Sequence, residues 1–123
     1  MRIKVAAAVS IFVTFVVIQL PQEARAGDEK EKPKEVICEK DKFLVNGKEQ
    51  DLTIRVGESV IWVNKDADEH DATSFDDSPE KFKAVSIPES GRSKPLKFEK
   101  AGTYKYYCTI HGKKMAGTII VKK

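Results

Sequence analysis

From Glu35 onward, apolar and polar residues alternate in short runs that are separated by turn formers. Leu52, Ile54 and Val56 alternate with Thr53 and Arg55, and Gly57-Glu58 then turns the chain into Ser59–Asn64. Side chains that switch face with a period of two predict strands rather than helices. The same pattern predicts strands over Asp71–Phe75, Lys81–Ile87, Leu96–Phe98, Thr103–Cys108 and Thr118–Val121. An early strand near Val36-Ile37, or over Phe43–Val45, completes the set. No stretch sustains a helical period and no internal repeat is present. Seven or eight brief strands at this spacing predict an all-β fold, an antiparallel sandwich of two sheets.

The first 26 residues follow a different logic. Arg2 and Lys4 precede an apolar run from Val5 to Ile18, followed by Pro21 and the small-residue pattern Ala24-Arg25-Ala26. This is the pattern of a signal peptide cleaved after Ala26. An uncleaved anchor is the alternative, but the run, interrupted by Ser10 and Thr14, falls short of the ~20 apolar residues that a spanning helix needs. The expected organisation is a signal peptide over 1–26, a solvated charged tail over 27–34 and one folded domain over 35–123. Export to the periplasm or an equivalent compartment follows from that reading.

Composition, at 41% hydrophobic and 33% charged residues, is that of a folded protein. The formal net charge of +3 is partly a property of the leader. Without Arg2, Lys4, Arg25 and Glu23, the chain keeps 19 basic and 18 acidic side chains, a net of +1. A general nucleic-acid-binding surface is therefore not supported.

Two cysteines in an exported chain ordinarily point to a disulfide, here Cys38–Cys108. Against this stands a cluster. After the leader the chain has two histidines and one methionine, and Cys108, His111 and Met115 fall within eight consecutive residues. They lie on the connector Thr109–Gly117 or at the strand end before it, and His70 lies at the end of another strand connection. A sandwich brings alternate loops to the same end, so the four can meet. Two imidazoles, a thiolate and a weak axial thioether make the trigonal site that suits copper cycling between two oxidation states. A site closed by four protein ligands, with no separate acid, base or nucleophile, argues against an enzyme.

The segment Gly102–Val121, with Tyr106-Tyr107-Cys108-Thr109-Ile110-His111 and then Met115, resembles the copper loop of plastocyanins, amicyanins and pseudoazurins. Val56–Asn64, leading to His70, is similar to another stretch of that family. The resemblance implies a Greek-key cupredoxin fold, one type 1 copper ion, and single-electron transfer between redox protein partners that dock transiently near His111. In such relatives the second histidine exposes its ring edge as the electron port. The sequence departs from the family at two points. The His111–Met115 interval is three residues, between the amicyanin and plastocyanin spacings, and Asp71 stands where many relatives have Asn. An Asp there can accept a hydrogen bond from Thr109, and its charge favours Cu(II).

Strand parity sends Tyr104, Tyr106 and Cys108 inward and Lys105 and Tyr107 outward. Tyr107 is then a surface aromatic and a candidate second electron path or docking contact. Lys113 and Lys114 are either solvated charges or a basic rim that steers an acidic partner, while Cys38 reads as a buried structural thiol. The expected state is a monomer. Two rival readings stay open: a copper carrier or storage protein without redox turnover, and a metal-free sandwich stapled by Cys38–Cys108.

Overall fold

The computed structural model describes residues 31–123, together with Thr14 and Val16. Apart from those two residues, the expected signal peptide lies outside the described residues, as does the first half of the charged tail, 27–30. Residues 31–123 form one compact unit of nine strands: β1 (Lys34–Glu39), β2 (Lys42–Leu44), β3 (Leu52–Arg55), β4 (Ser59–Asn64), β5 (His70–Ser74), β6 (Val85–Ile87), β7 (Leu96–Lys97), β8 (Gly102–Cys108) and β9 (Gly112–Lys122).

Two sheets form, one of order β2-β1-β4-β7 and one of order β3-β9-β8-β5-β6. The chain makes hairpins at β1–β2, β5–β6 and β8–β9 and otherwise crosses between sheets, so that β1 lies beside β4 and β3 beside β9. This is a Greek-key β-sandwich. It departs from a purely antiparallel arrangement, because both of those crossing-derived pairs are parallel.

Alternation turns one face of each strand inward. Val60, Trp62 and Asn64 of β4 are buried, as are Tyr104, Tyr106 and Cys108 of β8 and Ile119 and Val121 of β9. Trp62 meets Tyr106 edge-on at 5.6 Å and 87°, and Phe98 meets Tyr104 at 4.9 Å and 78°. Such edge-to-face pairs contribute about 0.5–1.5 kcal/mol beyond the area they bury.

Several sequence expectations are corrected. Both early segments form strands, not one, which raises the count to nine. Pairing begins at Lys34, within the expected tail. Lys81–Ala84 is not a strand, because the Phe82 N–H donates to the Ser74 hydroxyl at 3.0 Å instead of to a ladder carbonyl. The last strand starts at Gly112 rather than Thr118, because Gly112 already pairs with Cys108.

Candidate metal centre

The topology brings the candidate ligands to one place. In the β5–β8 pair, Thr73 faces Tyr107 and Ser74 faces Tyr106. Continuing that antiparallel register sets His70 and Asp71, at the start of β5, beside the end of β8. There the Asp71 carboxylate accepts the Thr109 N–H at 2.8 Å and the Thr109 hydroxyl at 3.0 Å, both on the same oxygen. The Thr109 contact anticipated from sequence is therefore present.

The β8–β9 hairpin carries the other candidate donors. Its register shifts between Tyr107, which pairs with Ala116, and Cys108, which pairs with Gly112. Lys113, Lys114 and Met115 are left over on the β9 side as an extended bulge, a device that re-aims side chains at a functional end. Lys113 and Lys114 are exposed, and Met115 turns inward with 1% of its surface accessible. Gly112 closes the turn at φ 85°, a left-handed conformation that L side chains rarely adopt.

His70, Cys108 and His111 converge, with one ligand atom from each lying within 4.8 Å of the others. The two imidazole Nδ1 atoms are 3.0 Å apart, and Cys108 Sγ lies 3.8 Å from that of His70 and 3.6 Å from that of His111. His70 and Cys108 are fully buried, whereas the His111 side chain keeps 22% of its surface accessible. Both cysteines are free thiols, which removes the stapled-sandwich alternative for this structure.

Three comparisons with known proteins agree with this geometry. The family of copper binding proteins of the plastocyanin/azurin type matches residues 23–122. The chain belongs to that family. A curated plastocyanin from Scenedesmus fuscus is 37% identical to this cupredoxin over an alignment of 79 residues that covers 58% of this chain and 81% of the relative. Amicyanin from Paracoccus versutus superposes with a TM-score of 0.60 at 28% identity, over 77% of this chain and 86% of that one. A reduced, Cu(I) form of an amicyanin variant at pH 4 gives a TM-score of 0.61 at 26% identity, over 77% and 87%. Membership makes the protein a blue copper electron-transfer protein with copper as its cofactor.

The donor set fits that ion. A first-row metal held by imidazole nitrogen at about 2.0 Å and thiolate sulfur at about 2.3 Å, at near-trigonal angles, keeps the two about 3.7 Å apart. The two sulfur-to-nitrogen distances bracket that value. Both inward nitrogens are Nδ1, while both outer nitrogens face carboxylates. His70 Nε2 donates to Asp66 Oδ2 at 2.8 Å, and His111 Nε2 lies 3.4 Å from Asp41 Oδ1. A carboxylate on one ring nitrogen holds a proton there and leaves the other lone pair free for a metal.

Asp66 and Asp71 are ionised well into the acid range. Burial works against charge on each, but hydrogen bonds outweigh it and lower both values. Asp66 is held by His70 and by the N–H groups of Lys40 and Asp41, and Asp71 by Thr73, Thr109 and Cys108.

Sequence reasoning singled out the candidate donors and Asp71 but passed over the Asn64 and Asp66 side chains behind His70. Asn64 is buried at the end of β4, where its amide donates to the carbonyls of Asp68 at 2.7 Å and Pro88 at 3.1 Å. Its side-chain oxygen accepts the Asp66 N–H at 2.8 Å, an Asx turn that sets the loop leading to His70. The signal was present in the order Asn64-x-Asp66 and in the four-residue step from Asp66 to His70. In sequence it reads only as part of an acidic run.

Proposed function

We propose that this cupredoxin shuttles single electrons between redox partners in an exported compartment, with His70, Cys108 and His111 as equatorial copper ligands and Met115 as the weak axial one. The observation that carries the reading is the convergence of two imidazoles and a thiol within 4.8 Å at one end of a rigid sandwich. Copper bound there supplies a one-electron couple between Cu(II) and Cu(I), which thiolate, thioether and imidazole together accommodate. The two ladders flanking Cys108 and the hydrogen bond from the His70 ring to Asp66 keep the donors still, so little rearrangement is needed when the charge changes.

Access is one-sided. His70, Cys108 and Met115 are buried, while His111 is partly accessible beside Ile110, which is 55% exposed. That edge, with Lys113 and Lys114 exposed nearby, is the surface on which a partner docks and the point of closest approach to the centre. Tyr107 packs against Phe75 at 4.6 Å and a 32° tilt and is half-buried. Export rests on the leader pattern over residues 1–26, with the folded protein acting as a monomer.

An optical spectrum of the copper-loaded, oxidised protein tests the assignment. An intense thiolate-to-copper band in the visible is expected, and it should bleach and return on repeated reduction and oxidation. A colourless copper complex, or one that releases its metal on reduction, would instead favour a carrier.

A further inference from the structure

The carboxylate behind His70 does more than cap one ring. Asp66 Oδ1 accepts the Lys40 N–H at 2.8 Å, and Oδ2 accepts the Asp41 N–H at 3.2 Å as well as His70 Nε2 at 2.8 Å. Lys40 and Asp41 are the two central residues of the β1–β2 hairpin, with φ of 53° and 55°. Two successive left-handed residues make the type I′ turn that a two-residue hairpin favours, normally built from Asn-Gly or Asp-Gly. Neither residue is glycine or asparagine, so this turn needs outside support, and the Asp66 carboxylate supplies it by accepting both of its N–H groups. The Asp41 backbone is held in this way, and its exposed side chain lies 3.4 Å from His111 Nε2. Asp66 is itself fixed from behind, with its N–H on Asn64 Oδ1 and its carbonyl accepting the Ser90 N–H at 3.0 Å.

We propose that Asp66 is the positioning residue of the copper centre, holding His70 directly and His111 by way of the Lys40-Asp41 turn, and that the two carboxylates bias the site toward Cu(II). The proposal rests on the ligand assignment above. Its physical content has two parts. A carboxylate on the outer N–H of a ligating imidazole fixes the tautomer and ring orientation and raises the donor strength of the inner nitrogen. Negative charge behind both rings stabilises the more positive oxidation state, which lowers the reduction potential.

Asp66→Asn separates the charge from the direct hold on His70, because its one oxygen can still accept His70 Nε2–H while the charge is gone, although its amide NH2 can no longer accept the Lys40 N–H. The expected result is a rise in potential equivalent to about a tenfold shift in preference toward Cu(I), or about 59 mV for one electron. Asp68→Asn, on an exposed residue of the same loop, is the control and should move the potential much less. Asp66→Ala removes the acceptor as well, with copper affinity falling about 10- to 100-fold. In the copper-free protein, nitrogen-detected NMR of the His70 ring should show a slowly exchanging Nε2–H in the unaltered chain and in Asp66→Asn, and lose it in Asp66→Ala. Equal potential shifts in Asp66→Asn and Asp68→Asn would overturn the proposal, as would an unchanged ring signal in Asp66→Ala. The ring measurement needs no copper, so failure of the ligand assignment, seen as a missing blue band in the unaltered protein, is read separately.

Discussion

Between the sheets, Trp62, Phe82, Phe98, Tyr104 and Tyr106 touch through ring faces and edges, and their hold on one another depends on area and shape. At the metal end, His70, Asp66, Asn64 and Asp71 are held by specific donors and acceptors at 2.7–3.2 Å, with Asp66 Oδ2, Asp71 Oδ1 and the Asn64 amide each serving two partners. Burial in the first region is non-directional and supplies stability. Burial in the second has to satisfy polar groups one by one, and what it secures is orientation. The two regions meet on single strands: β4 carries Trp62 into the core and Asn64 into the network, and β8 carries Tyr106 and then Cys108.

The sharpest way to separate them is Cys108→Ser. A hydroxyl cannot replace the thiolate's charge donation to copper, so the blue band should vanish completely. The copper-free protein should unfold in urea within about 1 kcal/mol of the unaltered chain, because the new hydroxyl can still donate to Asp71. Retention of an intense visible band would break the contrast at its centre.

Trp62→Ala is the converse. Removing a fully buried indole should lower stability by about 3–5 kcal/mol in urea denaturation. For a domain of this size that is a large part of the whole, yet the variant should still colour with copper under conditions where it remains folded. If it folds and fails to colour, the core and the site are one cooperative unit and the distinction drawn above is wrong.

Asn64→Ala probes the strand where the regions join. It strands the Asp66 N–H and two carbonyls, and should destabilise the protein by about 1–3 kcal/mol. Hydrogen exchange at Asp66 should quicken while exchange in β8 stays slow. Uniform acceleration throughout would mean that Asn64 is simply a core residue.

The same contrast explains what the sequence revealed. Period-two alternation located most strands because inward faces are apolar, and Trp62, Tyr104 and Tyr106 point where parity sends them. The candidate ligand set could be picked out because soft donors are rare and Cys108, His111 and Met115 lie close together in the chain, and the structure brings His70, Cys108 and His111 together. The boundaries of β9 were not legible, since Lys113-Lys114-Met115 carries no alternation and its bulge is set by pairing with Cys108 across the hairpin. Nor was the Lys40-Asp41 turn, which lacks the glycine that marks such turns and depends on a carboxylate 25 or 26 residues away. Polar networks that close over long separations leave no period to read.

The smallest effect at neutral pH belongs to Cys38, which lies on β1 between these regions. It pairs across its ladders with Phe43 and Asn64 and has no accessible surface. Burial, then the charges of Asp66 and Cys108, push its thiol up to about 12. A raised value means that the folded state keeps a proton which the unfolded chain releases from about pH 8.5. The associated stability is therefore complete below pH 8.5 and is lost as pH climbs toward 12, by at most about 1.4 kcal/mol per unit. Cys38→Ser removes this titration, so the difference in urea stability between variant and unaltered chain should narrow steadily from pH 8.5 to 10.5, with the blue band intact in both. A parallel pair of curves, or rapid maleimide labelling of native Cys38 at pH 8, would show that the thiol is open to water. A bleached Cys38→Ser protein would move the sulfur ligand from position 108 to position 38 and, with it, the metal centre from the β8–β9 hairpin to β1.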